Sequence, residues 1–561
     1  MASTVRMPHQ TDAALAPPPR RVRGVLPLAL LLLLAPFVVV AVRIALRDGA
    51  FEFAGDQAVI GLAVREASAL AQELGPYSRY GWSHPGPSWY YALAPGAALF
   101  GRDDAALVAA GLLVHGLIAA VLVAVVHRSG RPVLTLVTAL VVALTMLRLP
   151  ATFLLDVWNP FALLLSTALL LVLASRARDG RWTTLLLLLI TGSHLVQTHV
   201  GTAVLVSCVG LAGLVATALG RRDARVATAE QDQPGARGLR RWSTPLLGLL
   251  LAAMWLPPVV QQLTAPAGEG NLRRLFSFFV LDRQESVHPT VEQAVIAVGR
   301  LLAVPVQGWG PGPWEMDVST LPASVALVFA GQVFAALALV VVGRRWSSQT
   351  AAWTGIAVLV ALAAAVVSGT TVTGTLYWYL LVWVCVLPGV TAIGYAQLFL
   401  DRRDRTGVTG TVRRMDSTPV LAALAVALAV VVTGLGLSWS RGLELLPDSG
   451  GVRAAAALVE DALGSREPGT VYVDIHSDDR WPIGAGLIED LAADGWHVRV
   501  SSTSADLYGR DRVGTGEEPV RLTLIAPDDT ELPTVATAGG RDLGTVETEN
   551  GPLTVFLEET P

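Results

Sequence analysis

Long apolar runs recur along the chain as far as residue 440, and they constrain the fold more than any other feature. Each run is about 20 residues long, enough for a helix to cross a hydrocarbon core of about 30 Å. Composition agrees, because 53% of the 561 residues are hydrophobic and only 15% are charged, against about 25% charged in a typical soluble protein. The sequence therefore predicts an all-α polytopic membrane protein.

Hydropathy predicts about eleven transmembrane helices. The predicted spans are residues 24–44, 104–126, 132–149, 160–175, 182–196, 200–219, 243–260, 319–342, 350–367, 375–399 and 418–439. Residues 1–23 form a polar, proline-rich cytoplasmic tail, and no small-residue cleavage site of the kind typical of signal peptides is seen. We therefore expect the first span to be retained as an anchor.

The arginines predict the orientation. With the N-terminus in the cytoplasm, the arginine-rich connections 127–132, 175–181, 220–242 and 401–415 fall inside, whereas the short outer connections 151–160, 195–199 and 368–374 carry no Lys or Arg. This alternation requires that residues 84–100, which contain three prolines, form an interfacial or re-entrant helix instead of a span. The prediction is a multi-pass plasma-membrane protein with an extracytoplasmic C-terminal domain.

The predicted domains differ in pattern. A transmembrane domain covers 24–440, with outer loops at 47–103 and 261–318, the second holding an amphipathic helix at 291–304. After Trp439 the long apolar runs stop. Residues 449–561 predict a small soluble α/β domain with helices at 451–464 and 483–495 and strands at 470–475, 497–501 and 520–526.

Acids, histidines and arginines collect on the predicted outer face, and ionisable residues at membrane depth are costly and often functional. They are Asp56, Glu66, Arg79 and His84 in the first outer loop, Asp156, His194 and His199 in the short outer connections, and Arg273, Arg274, Asp282, Arg283, Glu285 and His288 in the 261–318 loop.

Each candidate also has a purely structural interpretation. Asp56 and Asp156 are suitable helix caps, Glu66 suits a solvated helix face, and His194 and His199 suit hydrogen-bonded packing. Arg273 and Arg274 are suited to contact lipid phosphates. The aromatic residues around Arg79, including Tyr80 and Trp82, fit an interfacial belt as well as a sugar-stacking surface.

The order of these motifs resembles the GT-C superfamily of membrane glycosyltransferases, with protein O-mannosyltransferases and the lipid A aminoarabinose transferase as the nearest branch and an actinobacterial source. The matching residues are Gly55-Asp56-Gln57, the His84-Pro85-Gly86-Pro87 turn and Asp156 in the next outer loop. The family's acidic pair is commonly Asp-Glu, and the second position here is Gln57. The resemblance covers about the first 200 residues.

This resemblance implies transfer of a sugar from a polyprenyl-phosphate donor to a glycan, lipid or protein acceptor of the cell envelope. Asp56 and Asp156 are the expected catalytic acids, with Asp56 the general base. Arg79, Arg273 and Arg274 are expected to bind the donor phosphate. His84, Tyr80, Trp82, His194 and His199 are expected to contact substrate, and Asp156 with His199 suits a divalent metal ion.

Two other functions remain open. A transporter or flippase of lipid-linked glycan would place polar residues near the bilayer midplane on interrupted helices. A cell-envelope scaffold would not need Asp56 and Asp156 to converge, whereas an enzyme would. No P-loop or GxGxxG motif follows a predicted strand, which favours a lipid-linked donor over a nucleotide sugar, and no nucleic-acid partner is expected.

Overall fold

The computed structural model describes residues 24–46, 51–101, 103–228, 240–281, 287–309, 315–405, 417–446, 449–464, 466–476, 479–529, 531–532 and 540–559. The predicted tail 1–23 and the candidates Asp282, Arg283 and Glu285 lie outside these residues.

The N-terminal part of the fold is helical. Its helices are α1 Val25–Ala45, α2 Gly55–Ser68, α3 Ser88–Phe100, α4 Asp104–His127, α5 Pro132–Arg148, α6 Thr152–Leu155, α7 Asn159–Arg176, α8 Trp182–Thr198, α9 Ala203–Thr228, α10 Arg240–Thr264, α11 Asn271–Phe276, α12 Val291–Gln307, α13 Ala323–Arg345, α14 Gln349–Thr370, α15 Leu387–Arg405 and α16 Thr418–Gly442. The strands Tyr77–Ser78 (β1) and Trp82–Ser83 (β2) form a small antiparallel hairpin before α3.

Within the described residues, nine helices are long and apolar enough to cross a membrane. The two other predicted spans form the 17-residue helices α5 and α8. The segment predicted not to cross, 84–100, contains the 13-residue helix α3, and the predicted amphipathic helix is α12, which a capping box at Thr290 begins. The chain is therefore a multi-pass helical membrane protein, as the sequence predicts.

Helix α7 is the core of the bundle. All its residues from Asn159 to Arg176 are buried, and α4, α8, α9, α14 and the 3₁₀ segment Trp378–Val386 pack around it. Pro160 stands in its first turn, where the missing N–H costs no hydrogen bond. Because the sequence of α7 is apolar on every side, it has no solvent face, which suits a central position.

The C-terminal domain is a mixed five-stranded sheet with three α-helices. Its elements are α17 Gly450–Leu463, β3 Thr470–Ile475, α18 Trp481–Ala493, β4 His497–Val500, α19 Ala505–Tyr508, β5 Val520–Ile525, β6 Arg541–Thr548 and β7 Gly551–Glu559. The strand order is β4-β3-β5-β7-β6, with β3 parallel to β4 and β5 and the last three strands antiparallel. The predicted elements are confirmed, and the hairpin β6–β7 adds to them.

This domain packs directly on α2 through α18. Arg65 of α2 forms an ion pair with the buried carboxylate of Glu489 at 2.9 Å. A Cβ on Gly486 would lie 2.6 Å from the carbonyl oxygen of Phe53, so this crossing needs glycine. The C-terminal domain thus fixes the helix whose first turn carries Asp56.

Candidate active site

Asp56 lies in the first turn of α2, directly after Gly55, whose φ of +59° lies in the left-handed region that favours glycine. Its side chain does not cap the helix. Instead, one carboxylate oxygen accepts a hydrogen bond from the Tyr77 hydroxyl, and the other accepts one from Trp158 Nε1 at 2.8 Å. The capping interpretation of Asp56 is therefore wrong, and its carboxylate is held by two aromatic donors.

Asp156 lies on the other side of Trp158. Its carboxylate accepts the backbone N–H of Trp158 at 2.9 Å and the side-chain amide of Gln57 at 3.1 Å. Gln57 stands where the family that the sequence resembles commonly has a second acid, and here it donates to Asp156. Because Trp158 donates to Asp56 through its ring and to Asp156 through its backbone, the structure brings the two carboxylates together.

Desolvation raises the pKa of both acids. Desolvation raises the pKa of Asp56, although the hydrogen bonds from Tyr77 and Trp158 oppose this. Burial raises the pKa of Asp156 to about 6, against the hydrogen bonds from Trp158 and Gln57 and with a smaller contribution from the charge of Asp56. A carboxylate with a raised pKa is a better proton acceptor at neutral pH than an exposed one.

Asp56 opens into a cavity of about 280 Å³, here called the first cavity. Aromatic side chains dominate its walls: Tyr77, Tyr80, Trp82, Tyr90, Trp158, Phe278, Phe279 and Tyr379. Trp82 lies with its ring centroid 5.5 Å from those of both phenylalanines. Such walls suit the apolar faces of a sugar ring, with few polar groups to orient it.

Arg79 supplies the positive charge of the first cavity. Its guanidinium donates to the Tyr80 hydroxyl at 3.1 Å and the Tyr377 hydroxyl at 3.4 Å. It also lies 5.1 and 5.2 Å from the centroids of those two rings. No carboxylate among the described residues pairs with Arg79, so its charge remains available to an anionic group in the cavity.

His84 and His199 line the same cavity as neutral imidazoles. Their ring centroids are 4.5 Å apart. Burial lowers the pKa of His84 well below its usual value and that of His199 to about 4. Nδ1 of His84 accepts the backbone N–H of Val200, and Nδ1 of His199 accepts that of Gly201, at 3.2 and 3.1 Å. The ring proton of each therefore sits on Nε2, which leaves two N–H donors for a ligand.

The turn that carries His84 depends on close backbone contacts. A Cβ on Gly86 would lie 2.7 Å from the side-chain oxygen of Gln197, and one on Gly75 would lie 2.6 Å from the carbonyl oxygen of His84. Asn271 donates its side-chain amide to the Ser83 carbonyl at 2.9 Å. The His-Pro-Gly-Pro turn is thus wedged between α8 and α11, which fixes the imidazole.

A second cavity, of about 930 Å³, lies between α2 and the C-terminal domain. Tyr77, Trp82 and Tyr90 line both cavities and so separate them. Charged pairs surround the second cavity: Glu66 with Arg512 at 2.7 Å, Arg274 with Asp506 at 3.5 Å, and Glu269 with Arg510. The interpretation of Glu66 as a solvated residue is therefore wrong.

The remaining candidates lie elsewhere. Arg274 belongs to the second cavity, and Arg273 is exposed and lines neither. His194 is 3.1 Å from the Ser88 hydroxyl and also lines neither cavity, which agrees with the packing interpretation.

The residues do not fit the predicted metal site. Asp156 already accepts hydrogen bonds from Gln57 and Trp158, and Nδ1 of His199 accepts a backbone N–H. In the described part of the chain, no group of three or more His, Cys, Asp or Glu side chains is placed to hold a metal ion.

Sequence reasoning missed the residues that hold Asp56. Tyr77 belongs to the aromatic stretch that fits an interfacial belt or a sugar-stacking surface, and Trp158 has no predicted role although it lies two residues from Asp156. Tyr379 and Phe278 also line the first cavity, and they come from distant parts of the chain. The sequence motif Trp158-Asn159-Pro160 marks a helix start, but nothing in it indicates which side chain the indole contacts.

Comparisons with known proteins support the fold. No protein-family model matches the chain, and no curated protein matches it in sequence. Among solved structures, the crystal structure of ArnT from Cupriavidus metallidurans bound to undecaprenyl phosphate is similar, with a TM-score of 0.53, 13% identity and coverage of 96% of this chain and 98% of that chain. The same protein in the apo state matches with a TM-score of 0.51 and 13% identity over 95% of this chain and 98% of that chain. The chain therefore has a GT-C-type fold.

Proposed function

We propose that this protein is a membrane glycosyltransferase that moves a sugar from a polyprenyl-phosphate donor to a cell-envelope acceptor at the outer membrane face. The observation that carries the proposal is the half-buried carboxylate of Asp56, which opens into an aromatic cavity with two imidazole donors and an arginine that pairs with no described carboxylate. A transporter of lipid-linked glycan would instead place its polar residues near the bilayer midplane on interrupted helices, whereas Asp56, Arg79 and His84 belong to the segment between the apolar helices α1 and α4.

A lipid-linked donor fits both the fold and the site. The similar ArnT structure holds undecaprenyl phosphate. Here, Arg79 and the Nε2–H groups of His84 and His199 are the cationic and neutral donors in the first cavity, and phosphate oxygens are strong acceptors for such groups. The cavity walls are otherwise aromatic, so they suit the sugar next to that phosphate.

The reaction then follows from the placement of these groups. The acceptor oxygen attacks the anomeric carbon while the bond from that carbon to the phosphate oxygen breaks. The electron pair of the broken bond stays on the phosphate, whose charge Arg79, His84 and His199 stabilise. Asp56 takes the acceptor proton; each of its oxygens already accepts one hydrogen bond but keeps a second lone pair.

The acceptor has a separate approach through the second cavity. That cavity is larger and carries ion pairs, and it meets the first cavity at Tyr77, Trp82 and Tyr90. The C-terminal domain supplies one side of it through residues 505–512. We therefore assign this domain to acceptor binding.

The test is sugar transfer by the purified full chain in lipid nanodiscs, with a panel of radiolabelled polyprenyl-phosphate sugars and membrane acceptors. We expect Asp56→Asn to lower kcat at least about a hundredfold, the scale typical of losing a general base. Asp494→Asn, an exposed acid of the same type at the end of α18, is the matched control and should leave transfer unchanged.

Equal activity of Asp56→Asn and wild type would remove Asp56 from the mechanism while keeping the enzyme class. Absence of both donor binding and transfer across the panel would contradict the proposal and favour the transporter or scaffold functions.

A further inference from the structure

A third pocket, of about 320 Å³, lies at the opposite end of the bundle from the first cavity. Helix α7 connects the two: Asn159 at its start lines the first cavity, and Arg176 at its end lines this pocket. At 1.5 Å per residue the two ends are about 25 Å apart. The pocket is therefore a separate site, and glycosyl transfer makes no use of it.

Four arginines line this pocket: Arg128, Arg131, Arg176 and Arg181. One carboxylate, that of Asp179, lines it with them. Arg131 is already neutralised, because it forms ion pairs with Asp401 and with Asp404, the latter at 2.6 Å. Among the described residues, Arg128, Arg176 and Arg181 form no ion pair, so the pocket carries excess positive charge.

Arg176 is a buried arginine that forms no ion pair with a described carboxylate. It is 7% exposed, and its guanidinium makes one hydrogen bond to a described residue, Nη2 to the Gln397 side-chain oxygen at 3.2 Å. Gln397 is held in this orientation because its amide donates to Asp401 at 2.7 Å. A buried guanidinium without a carboxylate is costly, so an anion beside it would stabilise the fold.

The pocket offers a further unused polar group. The Ser129 hydroxyl, on the turn between α4 and α5, is buried and has no hydrogen-bond partner among the described residues. Guanidinium groups with a hydroxyl are a typical donor set for a tetrahedral oxyanion, since arginine matches phosphate geometry with two N–H groups at once.

We propose that this pocket binds a phosphate group through Arg128, Arg176 and Arg181. In the predicted orientation it lies at the level of the inner headgroups, where basic pockets between helices bind anionic lipids. The phosphate of an anionic phospholipid and free inorganic phosphate share the required chemistry, and the experiment separates them.

Two binding measurements on the purified full chain test the proposal. Native mass spectrometry from nanodiscs counts phosphatidylglycerol retained against phosphatidylcholine, and isothermal titration in detergent measures inorganic phosphate. We expect wild type to bind in at least one of them, and Arg176→Gln to weaken that binding about tenfold or more, as removal of a charge-assisted hydrogen-bond donor does.

Because Arg176 is buried, a second variant is needed to separate a loss of phosphate binding from a loss of folding. The double variant Arg128→Gln/Arg181→Gln changes exposed residues and should weaken binding to a similar extent with an unchanged melting temperature. The double variant Arg344→Gln/Arg345→Gln removes the same charge at the same end of the bundle outside the pocket, and it should bind like wild type.

The two measurements identify where the phosphate comes from. Arginine-dependent retention of phosphatidylglycerol alone indicates the lipid. Arginine-dependent binding of inorganic phosphate alone indicates the free ion. Binding that is absent in both arms, or equal in wild type and in Arg128→Gln/Arg181→Gln, would overturn the proposal. Transfer activity is not the readout, so this result stands apart from that of the proposed function.

Discussion

The first and second cavities share the wall formed by Tyr77, Trp82 and Tyr90 but differ in size and chemistry. The first is about 280 Å³ and has eight aromatic rings in its walls. Among the described residues, Asp56 is the one carboxylate that lines it. The second is about 930 Å³ and is edged by ion pairs that join the membrane domain to the C-terminal domain. Under the proposed function, the first cavity binds the sugar and its phosphate and the second binds a larger polar acceptor.

Removing the positive charge of the first cavity should have the largest effect, an increase in KM for the donor. Arg79→Gln should raise KM for the donor about tenfold to a hundredfold, because hydrogen bonds to charged groups contribute about 1.5–3 kcal/mol. Steady-state kinetics with a varied donor measures this effect. Arg273→Gln removes an exposed arginine outside both cavities and should match wild type; an equal effect of the two substitutions would contradict a phosphate role for Arg79.

Breaking an ion pair of the second cavity should weaken binding of the acceptor. Arg512→Gln removes the partner of Glu66 and should raise the acceptor KM by up to about fivefold, since a partly exposed pair contributes about 1 kcal/mol or less, with donor KM unchanged. Arg466→Gln breaks an exposed pair with Glu559 away from the cavity and serves as control. A change confined to donor KM would reverse the assignment of the two cavities.

Tyr77, which belongs to both cavities, allows a pH test. Tyr77→Phe removes one hydrogen bond that opposes the desolvation of Asp56, so the pKa of Asp56 should rise further. Since the base must be deprotonated, kcat/KM should begin to fall at a higher pH than in wild type as the pH is lowered. A pH–rate profile measures this shift, and a fall that begins at lower pH would contradict the role of Asp56.

Asp156→Asn should shift the acid side of the pH–rate profile in the direction opposite to Tyr77→Phe, and this shift should be the smallest of the four effects. The substitution removes a negative charge close to Asp56, so the pKa of Asp56 should decrease and the acid side of the pH–rate profile should move to lower pH, by less than about one unit. Asp479→Asn, an exposed acid distant in sequence, provides the control. An unchanged acid side of the profile would show that the two carboxylates do not interact.

Much of the fold was predictable because membrane helices can be recognised from the length and composition of their apolar runs. The nine long apolar helices, the helix at 88–100 and most of the C-terminal elements follow from such local patterns. The hairpin β6–β7 was missed although Asn550-Gly551 at its turn is a typical hairpin signal.

The site was predictable only in part, because its contacts join distant residues. Asp56, Arg79 and His84 belong to one loop that a motif can mark, and they do line one cavity. The donation from Trp158 to Asp56 links residues 102 apart, and the assignment of Arg274 to the second cavity depends on Asp506 of the C-terminal domain. Such pairs depend on how the helices and domains dock, which periodicity does not encode.

The most direct test of the central claim is a cryo-EM structure of Asp56→Asn in nanodiscs with the polyprenyl-phosphate sugar that proves to be the donor. We expect the sugar in the first cavity beside residue 56, with its phosphate within hydrogen-bond distance of Arg79 or of Nε2 of His84 or His199. A sugar bound in the second cavity, or a first cavity filled by side chains with the donor elsewhere, would contradict it.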